Sequence, residues 1–492
     1  MSVILSIDLG TSSIKAMLLD SREGVLSVES SKYEVIIPSV GYAEQDPEIW
    51  WNETKRVLKK IQDKNRDTFL KIEAIGFSGQ MHGIVLVDKN GESLRPAILW
   101  LDQRSKKQLD EINSKMNVQE MGGYFGNRVF TGFAFPSLMW IKENEPDVLK
   151  EAKAVMMPKD FIRYKITGKI ASDVTDASST AIFNTAGRNW AYDVIKAFGL
   201  PEGIFPNCGE STEIAGKVTK ECEKESGLKA GIPVIYGCGD QQAQSIGNGV
   251  YQEGRIISNI GTGGQISTYI KEPIYDKKLR THTFCHALNK GYTIYGATLC
   301  GGMSLNWLKN KVLMIDDFAK LSRMAGEIAP GSDGIIYLPY LSGERTPHMN
   351  PSAKGMFFGL TLGQDRRHLT RAVMEGVAFS LRDSLTIFEE LGIKGDTIIA
   401  SGGGANSEEW LQMQADIFYR KVKVCEVNEQ ACLGACILAG AGTGIFKVEE
   451  AAKRFVSFRE KVYTPDPENM RIYDAQYEQF RELYKVNRKF MN

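Results

Sequence analysis

The chain is 492 residues long and carries 60 Lys+Arg against 60 Asp+Glu, so its formal net charge is zero. With 43% hydrophobic and 24% charged residues its composition is that of a folded globular protein, which excludes a disordered, collagen-like or disulfide-scaffold chain. A neutral chain with no Lys/Arg run longer than two lacks the field that holds nucleic acid or an anionic membrane, and at roughly 150 residues per domain the length predicts two to four domains.

The N-terminus, MSVILSIDLG, meets an acid at Asp8 and has no basic segment, so no signal peptide is expected and a cytoplasmic location is. Residues 4–19, ILSIDLGTSSIKAMLL, predict strand, tight glycine turn, strand. Gly10, Thr11 and Ser12 in that turn would expose backbone N–H groups to phosphate oxygens, or form a plain hairpin. Asp8, at the strand end, is placed to meet magnesium directly or through water. Residues 47–62 have helical spacing, with Trp50, Trp51, Val57, Leu58 and Ile61 apolar. EAIGFS (73–78) and GIVLVD (83–88) predict strands around a sharp turn, Gly79-Gln80-Met81-His82-Gly83. Its amide and imidazole suit a polyol, or serve a structural turn. Trp100, Asp102 and Arg104 follow the strand-like PAILW as a cleft wall or a surface ion pair.

Residues 233–236 predict a strand that leads into Gly237-Cys238-Gly239-Asp240-Gln241-Gln242. Asp240 either faces a cleft as a base for an attacking hydroxyl or caps the helix that follows. The amides beside it suit sugar hydroxyls. Residues 256–271, IISNIGTGGQISTYIK, repeat the opening pattern about 250 residues on, with Gly261 and Thr262 in the turn. This predicts a duplicated architecture divided near residue 247, giving halves 1–246 and 247–492. Further strands are expected at 292–295, 397–400 and 422–426, and helices at 368–391 and 408–419. Gly402, Gly403, Gly404 and Asn406 sit at a strand-to-helix junction, where glycines let a flat ligand or phosphate approach the backbone. The pattern is α/β, with a nucleotide held between the halves. ACLGACILAGAGTGIF (431–446) is 16 residues long, short of the roughly 20 a membrane span needs, and predicts a buried, closely packed helix. Eight scattered cysteines without a CxxC pair predict free thiols. The loop 341–348, LSGERTPH, receives no role from its spacing.

IDLGTSSIK, GQMHG, LPYLSGERTPHMNPSAKGMFFGL and SGGGAN resemble, nearly end to end, the motifs of the FGGY family of carbohydrate kinases. GQMHG and the long segment are similar to that family's xylulokinase branch. The resemblance implies two actin-like, ribonuclease-H-like ATPase domains with an interdomain catalytic cleft, residues 1–246 holding sugar and base and 247–492 the nucleotide. It implies ATP, Mg2+ and a sugar or polyol acceptor, and homodimers occur in the family. Asp240 matches the family's catalytic base and Asp8 the acid near metal and phosphates. Gly10, Thr11 and Ser12 match the first phosphate loop, Gly261 and Thr262 the second, and Gly403, Gly404 and Asn406 the adenosine side. Met81, His82 and Gln241 match sugar contacts, to which Gln80, Trp100 and Asp102 are added as candidates. Gln241-Gln242 replaces the usual Asn after the base, Ser137 a Lys, and Gly263 a Ser. The first departure lies in the sugar site, so beside D-xylulose the acceptors ribulose, glycerol and erythritol stay open. A nucleotide-driven binding or filament protein is the remote alternative on the same fold.

Overall fold

The computed structural model describes residues 2–288 and 290–491. Two sheets share one wiring. In the first, Val3–Leu9 forms a hairpin with Ser13–Asp20, and Gly24–Lys32 continues it antiparallel. On the other side Ile72–Gly79 and then Pro233–Ile235 run parallel to Val3–Leu9, with Ile214–Lys217 at the edge. In the second, Gly254–Ile260 forms a hairpin with Gly264–Ile270, followed by Tyr292–Thr298 and His282–Cys285. Gly395–Ser401 and Lys421–Val424 then run parallel on the far side. The two similar hairpins therefore open two similarly wired α/β halves.

Strand residues alternate between two cores. Val3, Leu5, Ile7 and Leu9 face the Pro47–Lys64 helix, while Ile4, Met17, Leu19 and Ala74 face the opposite layer. Burial on both faces explains why the strands read as nearly continuous apolar runs. The Pro47–Lys64 helix starts where Asp46 accepts the Glu48 N–H and Pro47 takes the first turn.

Between the sheets lie the Asp240–Gly247 and Gln430–Gly442 helices. Small residues let them meet: a Cβ on Gly434 would stand 1.9 Å from the Ala243 carbonyl oxygen, and one on Gly76 would stand 2.2 Å from that of Ala435. The apolar run from Ala431 is thus the packed helix the sequence predicts, and among the described residues no helix is long and apolar enough to cross a membrane. All eight cysteines are free. One expected strand, within residues 83–88, is shorter and lies outside the main sheet. Val85–Val87 leaves the main sheet to pair with Ala154–Met156, because His82 (φ 71°) and Gly83 turn the chain toward Ile98.

Candidate active site

The first hairpin turn is held open. The Gly10 N–H donates to Ser13 O at 3.0 Å, and the N–H groups of Thr11 and Ser12 have no protein acceptor among the described residues. Trp100 Nε1 donates to the Thr11 hydroxyl at 3.0 Å, Gln45 donates to Thr11 O at 2.8 Å, and the Gln80 N–H donates to Leu9 O at 2.8 Å. Trp100 and Gln80 therefore brace the turn. Asp8 accepts the Ser78 hydroxyl at 2.7 Å; burial raises its carboxyl above the usual range, against the pull of that hydrogen bond and of Lys15. Lys15 pairs with Glu429 at 2.5 Å, which ties this hairpin to the loop before the Gln430–Gly442 helix.

Asp240 is the first residue of its helix, and Gly239 is the cap residue. The capping role is thus not the one it plays. Burial, and then the nearby charge of Asp8, push its carboxyl up to about 7, although backbone N–H groups of Gln241 and Asp240 itself favour the anion. The preceding loop rests on a buried ionic cluster. The Gly239 N–H donates to the Thr175 hydroxyl at 2.9 Å, and that hydroxyl donates to Asp173. Lys159 sits among Asp160 (2.7 Å), Asp176 (3.0 Å) and Asp173, and Arg163 donates to Tyr236 O at 2.7 Å. The three carboxylates lie close enough together to hold a metal ion, but the Lys159 ammonium occupies their centre. The sequence signal for this cluster was charge on a helix that is otherwise apolar, PKDFIRYKIT.

Met81 packs beside Gly239 and against Phe284, Tyr295 and Ala297 of the second half. His82 donates Nδ1–H to Ser179 O at 2.7 Å and stacks on Phe133 at 4.2 Å. Burial lowers it to about 4, so it is neutral at pH 7 with Nε2 as an acceptor. Gln241 is partly exposed, while Gln242 is buried with its amide atoms unpartnered. Asp102 departs from expectation. It is fully buried, and its oxygens accept from Arg104 at 2.7–2.9 Å and from the Ala43 N–H at 2.7 Å. With its carboxylate so engaged, Asp102 anchors the Tyr42–Ala43 segment rather than a sugar.

In the second half, a cavity of about 490 Å³ gathers all five expected residues: Gly261, Thr262, Gly403, Gly404 and Asn406. Met303, Phe318 and Trp410 supply apolar walls and Asn306 and Ser322 polar groups, none of which sequence reasoning identified. The helix Gly302–Trp307 is latched onto the turn: the Gly302 and Met303 N–H groups donate to Gly261 O and Thr262 O, both at 2.9 Å. An apolar slot with glycine backbone at its mouth suits a nucleoside with its phosphates. Gly10, Thr11 and Ser12 are not part of this lining and belong to the other half with Asp8.

Residues 3–247 match the family model for the FGGY family of carbohydrate kinases, N-terminal domain, and residues 257–443 match the C-terminal domain. The chain belongs to the FGGY family of carbohydrate kinases. As an FGGY kinase it is a phosphotransferase that uses ATP and an alcohol group of a small carbohydrate. The chain is 34% identical to a xylulose kinase from Bacillus subtilis, over 98% of this chain and 97% of that one. It is 33% identical to a gluconokinase from Bacillus subtilis, over 90% of this chain and 88% of that one. The crystal structure of a xylulose kinase from Rhodospirillum rubrum superposes with a TM-score of 0.94 at 27% identity, covering 99% of each chain.

Proposed function

We propose that this FGGY kinase transfers the γ-phosphoryl group of MgATP to the terminal hydroxyl of D-xylulose. The observation that carries the mechanism is Asp240: a carboxylate at a helix start, partly buried, poised near 7, and close enough to Asp8 to be shifted by its charge. A base with that affinity takes a hydroxyl proton as the hydroxyl attacks and still ionises at neutral pH. Met81, His82 and Gln241 surround the acceptor. The open N–H groups of Thr11 and Ser12 and the Gly261–Thr262 turn position the phosphates. Gly403, Gly404 and Asn406 receive the adenosine. Two partly buried carboxylates that repel each other fit a nearby cation, and Asp8 would hold magnesium directly or through water. When bound, magnesium neutralises phosphate charge.

In this mechanism residues 1–246 hold sugar and base, and residues 247–492 hold the nucleotide. Eight free cysteines agree with a reducing cytoplasm. The test is ADP release with MgATP across D-xylulose, ribulose, glycerol, erythritol, gluconate and no sugar. D-xylulose is expected to stimulate most. Preference for another acceptor overturns D-xylulose and assigns the difference to Gln241-Gln242; turnover indifferent to every sugar overturns the acceptor mechanism.

A further inference from the structure

Arg345 lies in the loop for which the sequence suggests no role, and both its neighbours are pinned. Glu344 accepts from Leu299 N–H at 3.0 Å, from Arg345 N–H at 2.7 Å, and from the Thr298 hydroxyl. The Thr346 N–H donates to Ala297 O at 3.0 Å, and the Thr346 hydroxyl accepts from Ala297 N–H at 3.1 Å and donates to Arg280 O at 2.6 Å. Arg345 is therefore presented from a fixed backbone at the end of the Tyr292–Thr298 strand. Its guanidinium lies over the Phe130 ring at 5.2 Å, and among the described residues it forms no ion pair and no side-chain hydrogen bond. A partly buried fork of donors without an acceptor calls for one.

The surroundings show what that acceptor is. Arg345 is close enough to His82, His282 and Tyr295 for its charge to act on all three, and Tyr295 also feels Asp240. Phe130, under the Arg345 guanidinium, also meets His282 at 5.6 Å and Phe133 at 5.8 Å, and His82 stacks on Phe133, so Arg345 stands beside the two histidines. His82 offers a neutral Nε2 acceptor there. His282 adds a second: Asn127 commits its amide nitrogen to Phe125 O and Thr283 O, so its oxygen accepts His282 Nδ1–H, and the buried Nε2 is left unmet. Donors beside acceptors match a carbonyl oxygen next to a hydroxyl. A carboxylate would also satisfy Arg345, and an acid with a hydroxyl on the next carbon, such as gluconate, would bring a hydrogen to the histidines too, so gluconate is the acceptor that competes with a ketose here.

We propose that Arg345 is a specificity-determining residue that donates to the ketone oxygen of the acceptor, beside a hydroxyl that donates to His82 Nε2. The proposal rests on the ketose reading above.

The test compares kcat and KM for D-xylulose and for xylitol, the same carbon chain with the carbonyl reduced, in the unmutated protein, Arg345→Gln and Arg345→Lys. A charged hydrogen bond lost from Arg345→Gln should lower kcat/KM for D-xylulose by about ten- to hundredfold, mostly through KM. Xylitol should lose less, so the ketose preference narrows, and Arg345→Lys should recover part of it. If Arg345→Gln does not fold, Arg345→Lys and the thermal shift induced by D-xylulose carry the same comparison. Equal losses on both acceptors, or a fall in kcat at constant KM, overturn the proposal in favour of a loop or phosphoryl-transfer role. An unmutated protein that prefers glycerol or gluconate overturns it together with the ketose reading. One that prefers D-xylulose, with that preference untouched in Arg345→Gln, overturns it alone.

Discussion

An aspartate at the first position of a helix ordinarily gains from the free N–H groups there, yet burial and Asp8 outweigh them at Asp240. Two outcomes follow. As a base Asp240 must be ionised, so kcat/KM should fall about tenfold per pH unit below about 7 and level off above it, as read from initial rates. Asp240→Asn should lower kcat by about 10²–10⁴-fold and remove that limb. The same shift has an opposite sign for stability. The unfolded aspartate releases its proton near 3.8 and the folded one near 7, so between those values the folded state holds the extra proton. Stability therefore declines as pH rises through that window, and Asp240→Asn, which has no proton to lose, should escape the decline. Its advantage should reach at most about 4 kcal/mol above pH 7 and vanish toward pH 4 in urea titrations. An Asp240→Asn protein less stable than the original at pH 8 would contradict this account. Asp8 and Asp240 were singled out in the sequence because each stands beside an apolar strand run and a glycine turn, and the structure sets Asp8 near the end of its strand and Asp240 at the start of a helix. The role of Asp102 was not legible, because a cleft acid and a buried ion-pair acid carry the same local pattern, and only the fold brings Ala43 to its carboxylate.

At the scale of elements, the Gln430–Gly442 helix shows how far periodicity reaches. Its apolar residues lie all round, which says buried but not against what. The structure supplies the partners: the first sheet on one side and the Asp240–Gly247 helix on the other. Glycine is there for contact, not flexibility. In an exposed helix, Gly→Ala gains about 1 kcal/mol. At Gly434 the new methyl would meet the Ala243 carbonyl oxygen at 1.9 Å, and the helices must part. Gly434→Ala should therefore cost about 1–3 kcal/mol despite its better propensity, measured by chemical denaturation. It should also lower kcat, since Ala243 shares a helix with Asp240. A stabilised Gly434→Ala would show that the two helices are not in this close contact. The Val85–Val87 strand shows the limit of pattern at the same scale: the apolar run marks the strand, but His82 in the left-handed region directs it to Ala154–Met156, and no apolar periodicity records a pairing partner.

For the whole molecule, the paired hairpins revealed the duplication, but not that the halves share a layer. The Gln430–Gly442 helix belongs to the second half by sequence and covers Ile4, Met17, Leu19 and Ala74 of the first. Lys15 and Glu429 add an ion pair across the same seam. A fragment ending at the proposed division, residues 1–246, would expose that apolar face to water, and contiguous exposed patches of this kind drive association. Expressed alone, the fragment should be insoluble, or else bind a hydrophobic dye while keeping its helical circular dichroism without fixed packing. Co-expression with residues 247–492 returns the covering helix in trans and should restore both solubility and sugar-stimulated ADP release. The helix, rather than mass alone, is the component at issue. A second half carrying Leu433→Asp and Ile437→Asp on its buried surface should therefore fail to rescue. A soluble 1–246 fragment with cooperative unfolding would mean that the first half completes its own core, and that the shared layer joins two finished domains.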